Sequence, residues 1–288
     1  AEQKQVKGEF VTIENERYYK ISNVDQMSPF LMTITSESNH WMFISSNGGL
    51  TCGRRNNEHA LFPYYSDDKI HESHFTTGPR TAVQVTEKDK KYLWEPLNPL
   101  QASVYNIERN IYKNRSGNTI IFEELNHDLQ LLFRYQWLNS NKFGFLKKSV
   151  IQNLSAESAR VIEVMDGLSN ILPPDVNPNM QATMSTLVDA YKISRIENET
   201  GLGLYFLSSA ISDRAEALES LKANVIYPLG VHQYQSFVSQ QAYFNFLNGM
   251  SPAEATELKG QRGNYFLHTT LSIDPNAQKE WYLVAELD

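Results

Sequence analysis

Three residue groups in this sequence carry side chains able to do chemistry. His71-Glu-Ser-His74 sets two imidazoles three residues apart. A metal-binding pair on one helix face needs the i, i+4 spacing of His-Glu-x-x-His, which is not met. On a strand, positions three apart point to opposite faces, so solvated loop histidines are expected and no metal is assigned. Adjacent acids stand at Asp67-Asp68 and Glu123-Glu124. A glycosidase needs two carboxylates facing each other about 5–10 Å apart, whereas strand neighbours point oppositely. A pair built from distant segments, such as Glu124 with Asp166, stays open, and strand-end or turn charges are the plainer reading. Cys52, in Leu50-Thr-Cys-Gly-Arg-Arg55, has two arginines able to lower a thiol pKa. A lone cysteine ending a strand reads first as a small packed residue. There is no P-loop, dinucleotide fingerprint or Gly-x-Ser-x-Gly elbow, and no catalytic residue or cofactor is assigned.

Gly53-Arg54-Arg55-Asn56-Asn57, followed by Phe62-Pro63-Tyr64-Tyr65, has the chemistry of sugar recognition. Rings stack on the apolar CH face of a sugar while guanidinium and amide groups bond its hydroxyls. The candidate contacts are Trp41, Arg54, Arg55, Tyr64, Tyr65 and Trp94. The competing reading, a long β connection anchored by its aromatics, is slightly favoured because such loops are common in sandwiches.

The elements that must position these residues are mostly strands. Phe30–Thr35 and Trp41–Ser46 precede an Asn47-Gly48-Gly49 turn suited to positive φ. Leu129, Leu131, Phe133, Tyr135 and Trp137 share one face at period two, against Gln130, Arg134 and Gln136, interrupted by Leu132. That predicts a half-buried strand. Asn139-Ser-Asn141 turns into Phe143–Leu154, and Ser116-Gly117-Asn118 turns between Asn106–Lys113 and Thr119–Glu124. Ala159–Gly167 reads as buried on both faces over its middle. The texture changes at Pro173-Pro174 and Asn177-Pro178. Met180–Tyr191 suits a helix or a strand. Asp213-Arg-Ala-Glu216 resembles a capping box for a helix through Leu221. Ser239–Leu247 is a second helical candidate, and Ser251-Pro-Ala-Glu254 has a cap, a proline and a glutamate at helix-start spacing. Strands return at Tyr265–Ile273 and Glu280–Glu286. This order predicts a mainly β chain: a large antiparallel two-sheet β-sandwich with a few short helices in the C-terminal half.

Bulk properties narrow the partners. The 288 residues suit a single β-sandwich domain spanning 1–288. A net charge of −7 with no basic block argues against nucleic acid, whose binding begins with phosphate neutralisation. No apolar run approaches the roughly 20 residues of a membrane span. With one cysteine there is no intramolecular disulfide, which leaves cytoplasm and periplasm both open. The chain begins at Ala1 without Met and its last strand runs to the final residue, so it is expected to be part of something longer.

Trp41-Met-Phe-Ile-Ser-Ser-Asn-Gly-Gly-Leu-Thr51, then Arg54, then Phe62-Pro-Tyr-Tyr-Ser-Asp-Asp68 resembles the N-terminal β-sandwich, or supersandwich, domain of cellobiose-phosphorylase-type glycoside phosphorylases and related glycoside hydrolases. Leu129–Trp137 with Phe143–Leu154, Val164–Pro173, Lys259–Tyr265, Leu271–Pro275 and Trp281–Leu287 extend the match, while Met180–Tyr191 and Ser239–Gly260 depart from it. The resemblance implies a galactose-mutarotase-like sandwich ahead of a C-terminal α/α-barrel catalytic domain, a homodimer, and a role with carbohydrate in which this chain is not an enzyme on its own. Two alternatives stand beside it. One is a self-contained carbohydrate-binding module. The other is an epimerase or polysaccharide lyase, which would require His232 or His268 to meet Tyr and Arg in a concave sheet.

Overall fold

A computed structural model describes residues 4–287 apart from 89, 213–215, 217 and 253–254, and of Asp67 only the backbone. The chain opens with β1 (Lys7–Ile13), β2 (Glu16–Ser22), β3 (Leu31–Ile34), β4 (His40–Ser45) and β5 (Leu50–Arg54). Helix α1 (Asp67–Glu72) precedes β6 (Gly78–Glu87), β7 (Lys90–Trp94), β8 (Ile107–Asn114), β9 (Ile120–Asn126), β10 (Leu131–Ser140), β11 (Gly144–Asn153) and β12 (Arg160–Ile171). Helices α2 (Pro178–Thr183) and α3 (Ser185–Tyr191) follow, then β13 (Lys192–Ile196), β14 (Gly203–Leu207), β15 (Asn224–Leu229) and β16 (Gln235–Phe237). Helix α4 (Gln240–Leu247), β17 (Glu257–Lys259), β18 (Gly263–Ile273) and β19 (Gln278–Glu286) complete it.

The architecture is mainly β, as predicted, but its strands form three sheets and not a simple two-sheet sandwich. Eleven strands run in the order β1-β2-β8-β9-β10-β11-β19-β15-β14-β13-β17, five in the order β16-β18-β12-β6-β7, and three in the order β3-β4-β5. The final two strands divide between the layers: β18 pairs with β12 in the smaller sheet, and β19 pairs with β11 in the larger. A short helix, α1, also lies in the N-terminal half, where only strands were expected.

The period-two pattern of β10 does what it predicts: Leu131, Phe133, Tyr135 and Trp137 are buried on one face. They share one hydrophobic cluster with Val83 and Val85 of β6, Val164 of β12 and Leu267 of β18, and with Ile34, Met42, Ile44, Leu50 and Cys52 of the small sheet. All three sheets therefore close over a common core. Strand β12 is buried on both faces because Met165 turns the other way, where Ala242, Tyr243 and Phe246 of α4 cover it. The α4 helix is the one expected over Ser239–Leu247; the Ser239 hydroxyl accepts from the Gln241 N–H at 3.1 Å, and Gly249 ends it with φ 70°. Met180–Tyr191 resolves as two short helices, with the Asn177 side chain capping α2 at 2.9 Å. The capping box at 213–216 and the start at 251–254 fall largely outside the described residues.

A charged pair sits at the centre of this core. Lys147 and Asp166 are each fully buried, with Nζ 2.5 Å from Oδ1. Thr81, Ser149 and the Trp281 indole all donate to the same carboxylate, at 2.6, 3.0 and 2.7 Å. Burial pulls the Lys147 ammonium below its usual pKa, while the neighbouring carboxylate works against that shift.

Candidate functional site

The sequence candidates divide between a surface cleft and the core. Trp41, on β4, is half-buried and donates its indole N–H to the Asn56 carbonyl at 3.1 Å. Its ring meets Tyr64 edge-on at 5.7 Å. Tyr64 is 42% exposed, and its backbone N–H is held by the Gln181 side chain of α2 at 3.2 Å. Tyr65 is half-buried and accepts from Asn170 at 3.4 Å. Arg54 ends β5 half-buried, and Arg55 is exposed at φ 66°.

Trp94 must be withdrawn as a sugar contact. It is fully buried, and its indole donates to Glu124 Oε1 at 2.6 Å, so neither ring face reaches a ligand. Inner-face register carries it there: it pairs with Val83, itself fully buried.

Tyr64 and Tyr65 border a cleft of about 310 Å³. Pro63 and Ser66 complete that wall, Gln181, Ser185 and Asp189 of α2 and α3 form the facing one, and Lys69 and Arg262 reach it with their cations. Asp189 is bound to Lys192 at 2.6 Å, whereas Lys69 and Arg262 have no ion pair among the described residues. Gln181 and Ser185 were missed as candidates because the periodicity of Met180–Tyr191 left its element type unsettled.

The structure also changes the reading of the histidine pair. His71 lies on α1 and His74 on the 3₁₀ turn 73–75, so they gather around Asn47 instead of diverging into solvent. Asn47 Nδ2 donates to the His71 carbonyl at 2.8 Å, and Asn47 Oδ1 accepts from the Gly49 N–H at 3.1 Å. His71 Nδ1 lies 2.7 Å from Ser45 Oγ. Gly49 makes this packing possible, since a Cβ there would lie 2.0 Å from the Ile70 carbonyl oxygen. Burial holds the His74 pKa below its ordinary value, with the Arg80 charge adding to the effect. No cluster of three or more metal-binding side chains occurs among the described residues.

Glu123 and Glu124 point oppositely, as neighbours on a strand should. Glu123 accepts from Tyr112 at 2.5 Å and pairs with Arg134. Glu124, fully buried, is held by Arg109 at 2.6 Å, by Trp94, and by the Leu97 N–H at 2.9 Å. Burial raises its pKa against the lowering effect of Arg109. Glu124 and Asp166 therefore both spend their oxygens on internal partners and do not oppose each other across an open cleft. Cys52 is fully buried, and that burial pushes its thiol pKa up, as fits a packed residue. His232 is exposed on a loop, and His268 sits 3.3 Å from Glu163; among the described residues neither meets the tyrosine and arginine that the enzyme alternative required.

No family model matches this chain, and no curated protein matches it either. Solved structures that overlap it include a polysaccharide lyase at 13% identity and TM-score 0.41, covering 90% of this chain and 33% of the other. A heparinase III overlaps at 10% identity and TM-score 0.33, covering 91% and 35%. A 4-alpha-glucanotransferase from Thermococcus litoralis overlaps at 9% identity and TM-score 0.35, covering 98% and 40%. The chain thus spans 33–40% of the length of these structures. Likeness at this level assigns no function, and the functional reading rests on the clefts themselves.

Proposed function

We propose that this chain is a carbohydrate-binding β-sheet domain that seats a sugar in the cleft between Tyr64-Tyr65 and helices α2 and α3. The observation that carries the reading is Tyr64: an exposed aromatic ring, braced edge-on by Trp41, at the rim of a cleft whose walls bring amide, hydroxyl and cationic groups. A braced ring loses little freedom on binding and offers its face to the apolar side of a sugar, while Gln181, Ser185, Lys69 and Arg262 serve the hydroxyls. The reading assigns binding and not bond cleavage, because the buried carboxylates are taken up by internal partners.

The narrower reading, in line with the sequence resemblance, is that the chain serves as the N-terminal sandwich of a glycoside phosphorylase or hydrolase. In it a C-terminal α/α-barrel would dock on exposed apolar residues such as Leu100 and Val104, which are 69% and 64% exposed beside the 3₁₀ turn 99–103.

Calorimetric titration against neutral gluco-, manno- and xylo-oligosaccharides tests the binding site. Millimolar or tighter binding, weakened at least tenfold by Tyr64→Ala with unchanged thermal stability, is the expected result. Silence across the panel, or an unaffected variant, refutes it.

A further inference from the structure

Beyond the Tyr64 cleft, a second cavity lies on the other side of α1, and nothing so far gives it a role. It has two lobes that share Asn47, His74, Leu97, Pro99 and Tyr135, the larger of about 310 Å³. We infer that this cleft is a second ligand site, for the carboxylate-bearing unit of an acidic sugar, with Arg80 as the carboxylate clamp and Tyr135 as a hydroxyl donor beside it.

Two unpartnered polar groups carry the inference. Tyr135 is only 4% exposed, yet its hydroxyl has no hydrogen-bond partner among the described residues. The residue lines both lobes, so a ligand in the cavity can take a hydrogen bond from this hydroxyl without displacing an internal partner. Gly48, at φ 93°, keeps the space in front of it open: a Cβ there would stand 3.2 Å from the hydroxyl oxygen. The second group is Arg80. It is half-buried, with its guanidinium carbon 5.2 Å from the centroid of the Tyr243 ring. It has no carboxylate partner among the described residues.

The surroundings select the ligand. The Arg109 charge of the larger lobe is matched by Glu124, and burial holds the His74 pKa below its ordinary value, so Arg80 is the cation of the inner lobe that has no ion pair among the described residues. Glu95 borders the same lobe with its oxygens engaged by Tyr243 at 2.9 Å and Asn98 at 3.0 Å. A single negative charge suits one guanidinium, which can grip a planar carboxylate with two parallel hydrogen bonds. A phosphate dianion would double its attraction to Arg80 and its repulsion from Glu95 alike, while the cost of desolvating it rises more steeply with charge. His74 Nδ1 faces the His71 carbonyl at 3.1 Å and donates to it, which leaves Nε2 as a lone-pair acceptor for a sugar hydroxyl. Phe75, 42% exposed and tilted 42° to the His74 ring at a centroid distance of 3.8 Å, offers an apolar platform at the same wall.

The test is NMR titration of the protein with glucuronate, glucose and inorganic phosphate, following the His74 imidazole resonances. Glucuronate is expected to bind and shift these resonances, with glucose and phosphate each at least tenfold weaker. Arg80→Gln should weaken glucuronate at least tenfold. Tyr135→Phe should weaken it severalfold while leaving stability unchanged, because the hydroxyl has no partner among the described residues. Tyr64→Ala should leave glucuronate binding intact, which separates this site from the first cleft. Equal binding of glucose and glucuronate, tighter phosphate binding, no glucuronate binding, or folded Arg80→Gln and Tyr135→Phe variants that bind as the parent does would each overturn the inference.

Discussion

Replacing Asp166 by Asn removes one charge from the sealed Lys147–Asp166 pair while keeping a side chain of the same shape. The single Asn oxygen can still accept from Trp281, the amide NH2 replaces the oxygen that accepted from Lys147 and Thr81, and the Thr81 hydroxyl can rotate to accept from it, so the perturbation is mainly electrostatic. Lys147, with no surface exposure, is then left as an uncompensated buried cation. Breaking such a pair typically costs about 3–5 kcal/mol. A ceiling follows from titration: an ammonium with an ordinary pKa near 10.4 can be neutralised at pH 7 for about 5 kcal/mol, and no larger electrostatic penalty survives. We therefore expect Asp166→Asn to lose about 3–5 kcal/mol at pH 7. If Lys147 becomes neutral in the folded variant, the unfolded state binds one more proton than the folded one. The variant's stability should then rise relative to the parent by about 1.4 kcal/mol per pH unit from pH 7 to 9. Urea unfolding at pH 7, 8 and 9 measures both quantities. A loss below about 1 kcal/mol, or a deficit that stays flat with pH while the variant remains folded, would refute this account of the core.

Two further outcomes follow from burial and close approach. His40 is 4% exposed, its Nδ1 is 2.8 Å from Ser38 Oγ, its Nε2 has no partner among the described residues, and burial pulls its pKa to about 4. The unfolded chain binds a proton near pH 6.5, so the stability His40 contributes is full above that value and is lost as pH falls to about 4. With allowance for solvent relaxation, the loss is about 2 kcal/mol, and a pH series of urea midpoints should show it shrink in His40→Phe. Gly49→Ala would press a Cβ to 2.0 Å from the Ile70 carbonyl; a loss of about 2–4 kcal/mol is expected, and a midpoint shift equal to that of an exposed Gly→Ala change would contradict the packing of α1 against the turn.

Much of the framework was legible along the chain because its causes are local. Alternation at period two marked β10, the Asn47-Gly48-Gly49 turn marked the β4–β5 hairpin, and the Ser239 cap marked α4. The opposed orientation of Glu123 and Glu124 followed from the pleat alone. Three features were not local. The division of β18 and β19 between two sheets rests on pairing with strands far away in sequence, from Ile171 opposite Gly263 to Phe145 opposite Ala285. Trp94 read as a surface aromatic until Glu124 supplied the buried acceptor for its indole. The histidines of 71–74 read as solvated because nothing near them in sequence shows Asn47 behind them or Tyr135 across from them. Burial and partnership are properties of the whole packed chain: side-chain type and spacing set which face a residue takes, and only the folded neighbours determine whether that face meets core, charge or open cleft.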